Sequence, residues 1–174
     1  MFLRVASDIT VDSIVDGPGL RTVIWTQGCP HKCKGCHNPQ THDYNGGELI
    51  DIFEIIEQIK NVKLQKGVTI SGGEPFIQVE SLIEIVKEIK NNTNLDIWVY
   101  SGYTFEQLIS NVNKNKNIEF LNYIDVLVDG KFEEDKKDIN LQFRGSSNQR
   151  VIDVQKTLLE YKKNTSEYDI VTLY

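Results

Sequence analysis

At 174 residues, with 40% apolar and 25% charged residues, the chain has the length of one domain and the composition of a globular protein with a sizeable core. No apolar run approaches the roughly 18–20 residues that span a bilayer, and the opening MFLRVASDITVDS lacks the basic-then-apolar order of a signal peptide, so a cytoplasmic location is expected. A net charge of −6 argues against a general nucleic-acid binder, which would present a basic face.

In chain order, RTVIWTQG (21–28) is rich in β-branched and aromatic residues and predicts the first core strand. A long loop follows over 29–47. ELIDIFEIIEQIK (48–60) predicts a helix with Leu49, Ile52, Phe53, Ile56 and Ile59 facing inward. GVTIS (67–71) predicts a short strand that stops at Gly72-Gly73. VESLIEIVKEIK (79–90) is a second helix with Val79, Leu82, Ile83, Val86 and Ile89 on its inner face, and LDIWVY (95–100) is a strand. Thr104 can cap the next helix, Gln107 completing a capping box, with Phe105, Leu108, Ile109 and Val112 inward. NVNKNKNIE (111–119) reads as a solvated helix end and loop rather than a binding segment. YIDVLVDG (123–130) predicts a strand, DVQKTLLEY (153–161) a helix, and the final YDIVTLY can add a terminal strand. With no repeat, low-complexity tract or linker, residues 1–174 read as a single domain.

Apolar strands alternating with amphipathic helices predict an α/β fold, a parallel sheet covered by helices, either open and doubly wound or part of a barrel. Both architectures collect ligands at the C-terminal strand ends. The cysteine loop, SGGEP from Ser71, SGYT from Ser101 and the DGK of 129–131 all sit there. One composite site is therefore expected.

All three cysteines of the chain, Cys29, Cys33 and Cys36, fall in TQGCPHKCKGCHNPQ (26–40). In a reducing compartment such a cluster reads as metal-binding or catalytic. Structural thiols rarely lie this close together, and a redox pair of Cys33 and Cys36 leaves Cys29 without a role. Zinc in a Cys3His arrangement would draw on His31, His37 or His42. An iron–sulfur cluster held by three thiolates would leave one iron open for a substrate.

Cys-x3-Cys-x2-Cys followed by Gly72-Gly73-Glu74-Pro75 resembles the radical S-adenosylmethionine superfamily. Within it, DSIVDGPGLRTVIWTQGCPHKCKGCHNP (12–39) is similar to the activating enzymes of glycyl-radical proteins. The short chain and RGSSNQRVID (144–153) resemble those that act on anaerobic ribonucleoside-triphosphate reductase. The resemblance implies an incomplete (β/α) TIM-like barrel with the cluster loop after the first core strand. It implies that Cys29, Cys33 and Cys36 hold a 4Fe–4S cluster. The open iron would bind S-adenosylmethionine, whose reductive cleavage yields a 5′-deoxyadenosyl radical. That radical would take a hydrogen atom from a glycine of the reductase large subunit, with a one-electron donor such as flavodoxin upstream. No catalytic residue beyond the cluster ligands is expected, and neither is a nucleic-acid or membrane partner.

By the same resemblance, Gly35, Cys36 and His37 lie against the cofactor, and Gly72, Gly73 and Glu74 receive its methionine amino group. Asp129, Lys131 and Arg144 are further cofactor contacts. Each has a plainer reading: Gly35 as a loop glycine, His37 as a capping residue, GGEP as a strand-to-helix turn, Asp129 and Lys131 as solvated charges, and Arg144 as part of a helix cap. Asp16-Gly17-Pro18-Gly19 predicts a tight turn, which in the activating enzymes lies beside the cluster edge. The rival functions are activation of another glycyl-radical enzyme such as pyruvate formate-lyase, small-molecule radical chemistry such as that of 7-carboxy-7-deazaguanine synthase, and a non-catalytic zinc-binding module.

Overall fold

The computed structural model describes residues 1–174. Two short strands not anticipated from the sequence, β1 (Phe2–Val5) and β2 (Thr10–Ser13), precede β3 (Arg21–Thr26). Next come β4 (Glu48–Asp51), α1 (Ile52–Asn61), β5 (Gly67–Gly72), α2 (Val79–Asn92) and β6 (Asp96–Tyr100). The chain continues through α3 (Phe105–Ser110), α4 (Lys114–Leu121), β7 (Val126–Asp129), β8 (Arg150–Asp153) and α5 (Val154–Lys163).

The strands form one sheet in the order β4-β1-β3-β5-β6-β7-β8, with β2 also on β3. β3, β5, β6 and β7 run parallel. The flanking pairs are antiparallel. The architecture is thus a mixed α/β fold whose mostly parallel sheet stays open. Of the incomplete barrel expected from the sequence, the α/β class and the parallel central strands are present, while the sheet does not close: antiparallel strands flank the βα progression on both sides, and β4 and β8 do not meet.

Strand alternation divides the two faces. Ile24, Ile70 and Val99 stand in register toward the helices, within a core of 28 buried residues. The neighbouring row of Trp25 and Ser71, with Tyr100 beside Val128, faces the other way. The functional loops rise on that side.

Several local expectations change. Residues 48–51 pair with β1 in the register Phe2↔Asp51 to Val5↔Glu48 instead of starting a helix. Asp51 then caps α1, its carboxylate accepting from the Phe53 N–H. The inner face of α1 becomes Ile52, Ile55, Ile56 and Ile59, leaving Leu49 and Phe53 57% and 69% exposed. Thr104 and Gln107 do form a capping box, but α3 ends at Ser110 and Val112 is fully exposed. The polar stretch after it winds into α4, which buries Phe120, Leu121 and Asn117. Asn117 Nδ2 donates to the Leu108 carbonyl at 2.8 Å, tying α4 to α3. The C-terminal segment forms no full strand: its β pairing is an isolated bridge, Ile152 to Thr172, held by the Asp153 N–H to the Val171 carbonyl and the Leu173 N–H to the Val151 carbonyl, both at 2.8 Å. No helix is long and apolar enough to cross a membrane.

Candidate functional site

A cavity of about 500 Å³ opens at the C-terminal ends of the parallel strands, within the size range of small-ligand sites. Each strand-end loop supplies wall: Cys29, Cys33 and Cys36 after β3, Gly72 and Gly73 after β5, Ser101 and Gly102 after β6, and Gly130 after β7. The segment from Phe132 to Gln149 closes one side, and Asp16 reaches in from the turn before β3.

The cysteine loop is folded back on itself by its own backbone. The Gly28 N–H donates to the Thr41 carbonyl at 2.8 Å, and the Cys29 N–H donates to that of His42 at 3.3 Å. Pro39–Thr41 makes a single helical turn between them. The Cys36 N–H donates to the Cys33 carbonyl at 3.2 Å. Cys36 Sγ accepts from the Asn38 N–H at 3.4 Å. Cys29 is buried and Cys33 and Cys36 half-buried, and all are free thiols. Burial pushes the Cys29 thiol up; the His31 and Lys32 backbone donors oppose this and the Glu74 charge adds to it. Burial also raises Cys33, against the Phe132 N–H and the Lys131 cation. The three side chains line the cavity without converging on a single point. Thiols held protonated in this way give up their protons when a metal group binds.

Gly72 has φ +100°, a conformation that glycine adopts without strain. The Gly73 N–H donates to the Thr26 carbonyl at 2.7 Å and the Glu74 N–H to the Gly28 carbonyl at 2.8 Å. Backbone therefore packs on backbone where β5 meets the cysteine loop. A β-carbon at Gly73 would overlap the Gly28 carbonyl. Gly73→Ala is expected to cost about 2 kcal/mol by overpacking, or about 6 °C in Tm, in a thermal melt of the metal-free protein.

The remaining expected contacts divide. Arg144 lines the cavity; one terminal nitrogen donates to the Gln149 carbonyl at 2.9 Å, while its Nε is buried without a partner. His37 lines the cavity, its ring 5.1 Å from that of Phe132. Gly35 turns the loop at φ +72°, packed against Phe132 and Glu134. Lys131 is exposed near Cys33, its carbonyl accepting from Asn148 Nδ2 at 2.8 Å. Asp129 is 1% exposed and engaged elsewhere: it accepts from the Phe105 N–H at 2.7 Å and pairs with Arg150 at 2.5 Å. Arg150 also grips Glu106, holding that carboxyl below its usual range. Glu74 is fully buried.

Sequence reasoning missed Phe132 and Gln149. Phe132 packs on His37, and its backbone N–H opposes the rise of the Cys33 thiol. Gln149 Oε1 accepts from the Gly145 N–H at 2.9 Å, and its Nε2 donates to the Gly130 carbonyl at 3.0 Å. Only the polar RGSSNQR run gave any signal for Gln149. His42 also lines the cavity, with a buried Nε2 that lacks a partner.

Residues 15–152 match a family described as a 4Fe-4S single cluster domain. The chain is also similar to several anaerobic ribonucleoside-triphosphate reductase-activating proteins. It is 36% identical to that of Haemophilus influenzae over 143 residues, 78% of this chain and 89% of the relative. Identity to the Escherichia coli K12 protein is 36% over 145 residues, 79% and 91% of the two chains. Identity to the enterobacteria phage T4 protein is 35% over 142 residues, 79% and 86%.

Proposed function

This chain belongs to the family of anaerobic ribonucleoside-triphosphate reductase-activating proteins, and from that premise we propose that it is an iron–sulfur enzyme that uses S-adenosylmethionine to place a glycyl radical on such a reductase. The observation that carries the reading is the cavity itself. Three thiols on one loop share it with two glycines at the end of β5 and with Arg144, whose buried Nε has no partner.

The donor set fits the cluster. Thiolates are the ligands of iron–sulfur groups, and a cavity of about 500 Å³ leaves room for a small molecule beside it. When bound, the cluster and S-adenosylmethionine supply an electron and the organic radical that removes a hydrogen atom from glycine. Cys29, Cys33 and Cys36 hold the cluster. Gly72 and Gly73 offer backbone to the methionine end of the cofactor, which no side chain there obstructs. Arg144, which lines the cavity, offers its guanidinium to the cofactor carboxylate. Gly35 and His37 flank the last ligand, with His37 held by Phe132. Lys131 adds positive charge beside Cys33. The loop after β3 and the segment over Phe132–Gln149 wall the site against water. The electron comes from an external one-electron donor such as flavodoxin, and the substrate is the reductase large subunit.

The test is anaerobic incubation with dithionite, S-adenosylmethionine and a candidate partner, read by electron paramagnetic resonance. A glycyl radical signal is expected with the reductase. A signal with pyruvate formate-lyase instead would transfer the reading to that partner. No signal with either, from protein that has taken up iron, would overturn it.

A further inference from the structure

We infer that His31 and Glu74 form a positioning pair that fixes the cysteine loop against the sheet, an assignment that rests on the cluster reading above. His31 stands between Cys29 and Cys33. Whatever holds its ring therefore holds the chain between two of the ligands.

The ring is held from several sides. Its side chain is only 5% exposed, and Nε2 lies 2.8 Å from Glu74 Oε2, to which it donates. The same oxygen accepts from the Gly102 N–H at 2.8 Å. Glu74 Oε1 accepts from the Ser101 hydroxyl at 2.9 Å and from the Phe76 N–H at 3.1 Å. An ionised carboxylate offers about four acceptor positions, and here all are taken. That arrangement leaves Glu74 no free lone pair for a ligand amino group. Instead it joins three loops: the cysteine loop through His31, the β5 loop to which it belongs, and the β6 loop through Ser101 and Gly102.

Packing points the same way. The imidazole meets Tyr103 edge-on, with ring centroids 4.5 Å apart at 72°. It also fills the place a β-carbon would take at Gly102, which explains a glycine there. The ring holds the backbone between two ligands, and the Glu74 charge also reaches Cys29, so the effect of the pair is on how firmly the bound group is retained. Loss of such supporting contacts lowers metal affinity about 10- to 100-fold.

The experiment is the rate at which the anaerobically loaded protein releases iron to a chelator. His31→Phe keeps ring volume and removes the donor, and release is expected to quicken about 10-fold. His31→Gln places an amide donor at similar reach and is expected to stay within about 2-fold of the parent, below the usual range for lost support. A His31→Phe rate equal to the parent's would overturn the assignment. Two outcomes decide it where His31→Phe folds poorly. A His31→Gln rate as fast as 10-fold would remove the hydrogen bond from the account. The same acceleration in Tyr103→Leu, which leaves the hydrogen bond intact, would assign the holding to ring packing alone. A parent protein that takes up no iron would instead refute the cluster reading, which keeps the two failures distinct.

Discussion

Cys29→Ala, Cys33→Ala and Cys36→Ala are each expected to reduce S-adenosylmethionine cleavage by more than about 100-fold, beyond the loss that follows removal of a merely supporting group. The magnitude follows from the donor set. The chain contains no fourth cysteine. Of the three histidines, His31 is committed to Glu74 and His37 packs against Phe132. His42 lines the cavity and its buried Nε2 has no partner, but an imidazole is a harder donor than the thiolate it would replace. Cys33 and Cys36 are half-buried, so truncating them removes little packing, and the variants should melt near the parent. Cleavage assayed beside a thermal melt separates a lost ligand from a lost fold. Retained cleavage in any one variant would remove that residue from the ligand set.

Arg21→Ala should have the largest effect on stability, about 4 kcal/mol, because it removes a fully buried guanidinium together with its ion pair to the partly exposed Asp96 and its buried hydrogen bonds to Thr69 and Val68. Arg21 is fully buried on the face of the sheet that carries the site. Its guanidinium lies 2.6 Å from Asp96 Oδ1 and 5.4 Å from the centroid of the Trp98 ring. Its Nε donates to Thr69 Oγ1 at 2.7 Å, and a terminal nitrogen donates to the Val68 carbonyl at 2.9 Å. Thr69 passes the support on, its hydroxyl donating to the Asp16 carbonyl at 2.7 Å. The turn from Asp16 to Gly19 therefore leans on one side chain, and Gly17 has no room for a β-carbon beside it. A drop of about 10 °C in Tm is expected. A loss below about 1 kcal/mol, the size of an exposed pair, would show that the buried network contributes little.

The parallel heart of the fold was legible because its signals are local. Residues 67–72 and 96–100 are short apolar runs bounded by glycine or polar residues, and α2 repeats its apolar positions at helical spacing. The edges were not. Glu48–Asp51 reads as the first turn of an amphipathic helix, and its pairing with residues 2–5 is a long-range fact with no local mark. α4 is helical because Asn117, Phe120 and Leu121 find partners in the packed core, which its polar composition conceals.

The site shows the same division. The cysteine spacing and the glycine pair announce themselves, because few sequences use those residues so densely. The acids behave differently. Glu74 and Asp129 sit in the expected loops, yet both carboxylates are taken up by neighbours: Ser101, Gly102 and His31 for one, Phe105 and Arg150 for the other. Whether a strand-end acid faces a ligand or braces a loop depends on which backbone N–H groups surround it, and sequence spacing does not encode that. Phe132 and Gln149 were hidden because a half-buried aromatic and an amide carry no distinctive motif.

The central claim is that three thiolates hold an iron–sulfur cluster in this cavity. Its most direct test is the metal content and visible absorption spectrum of the protein purified without oxygen. About four irons per chain, with the brown absorption of a 4Fe–4S group that bleaches with dithionite, is the predicted result. Colourless protein holding one zinc would contradict it.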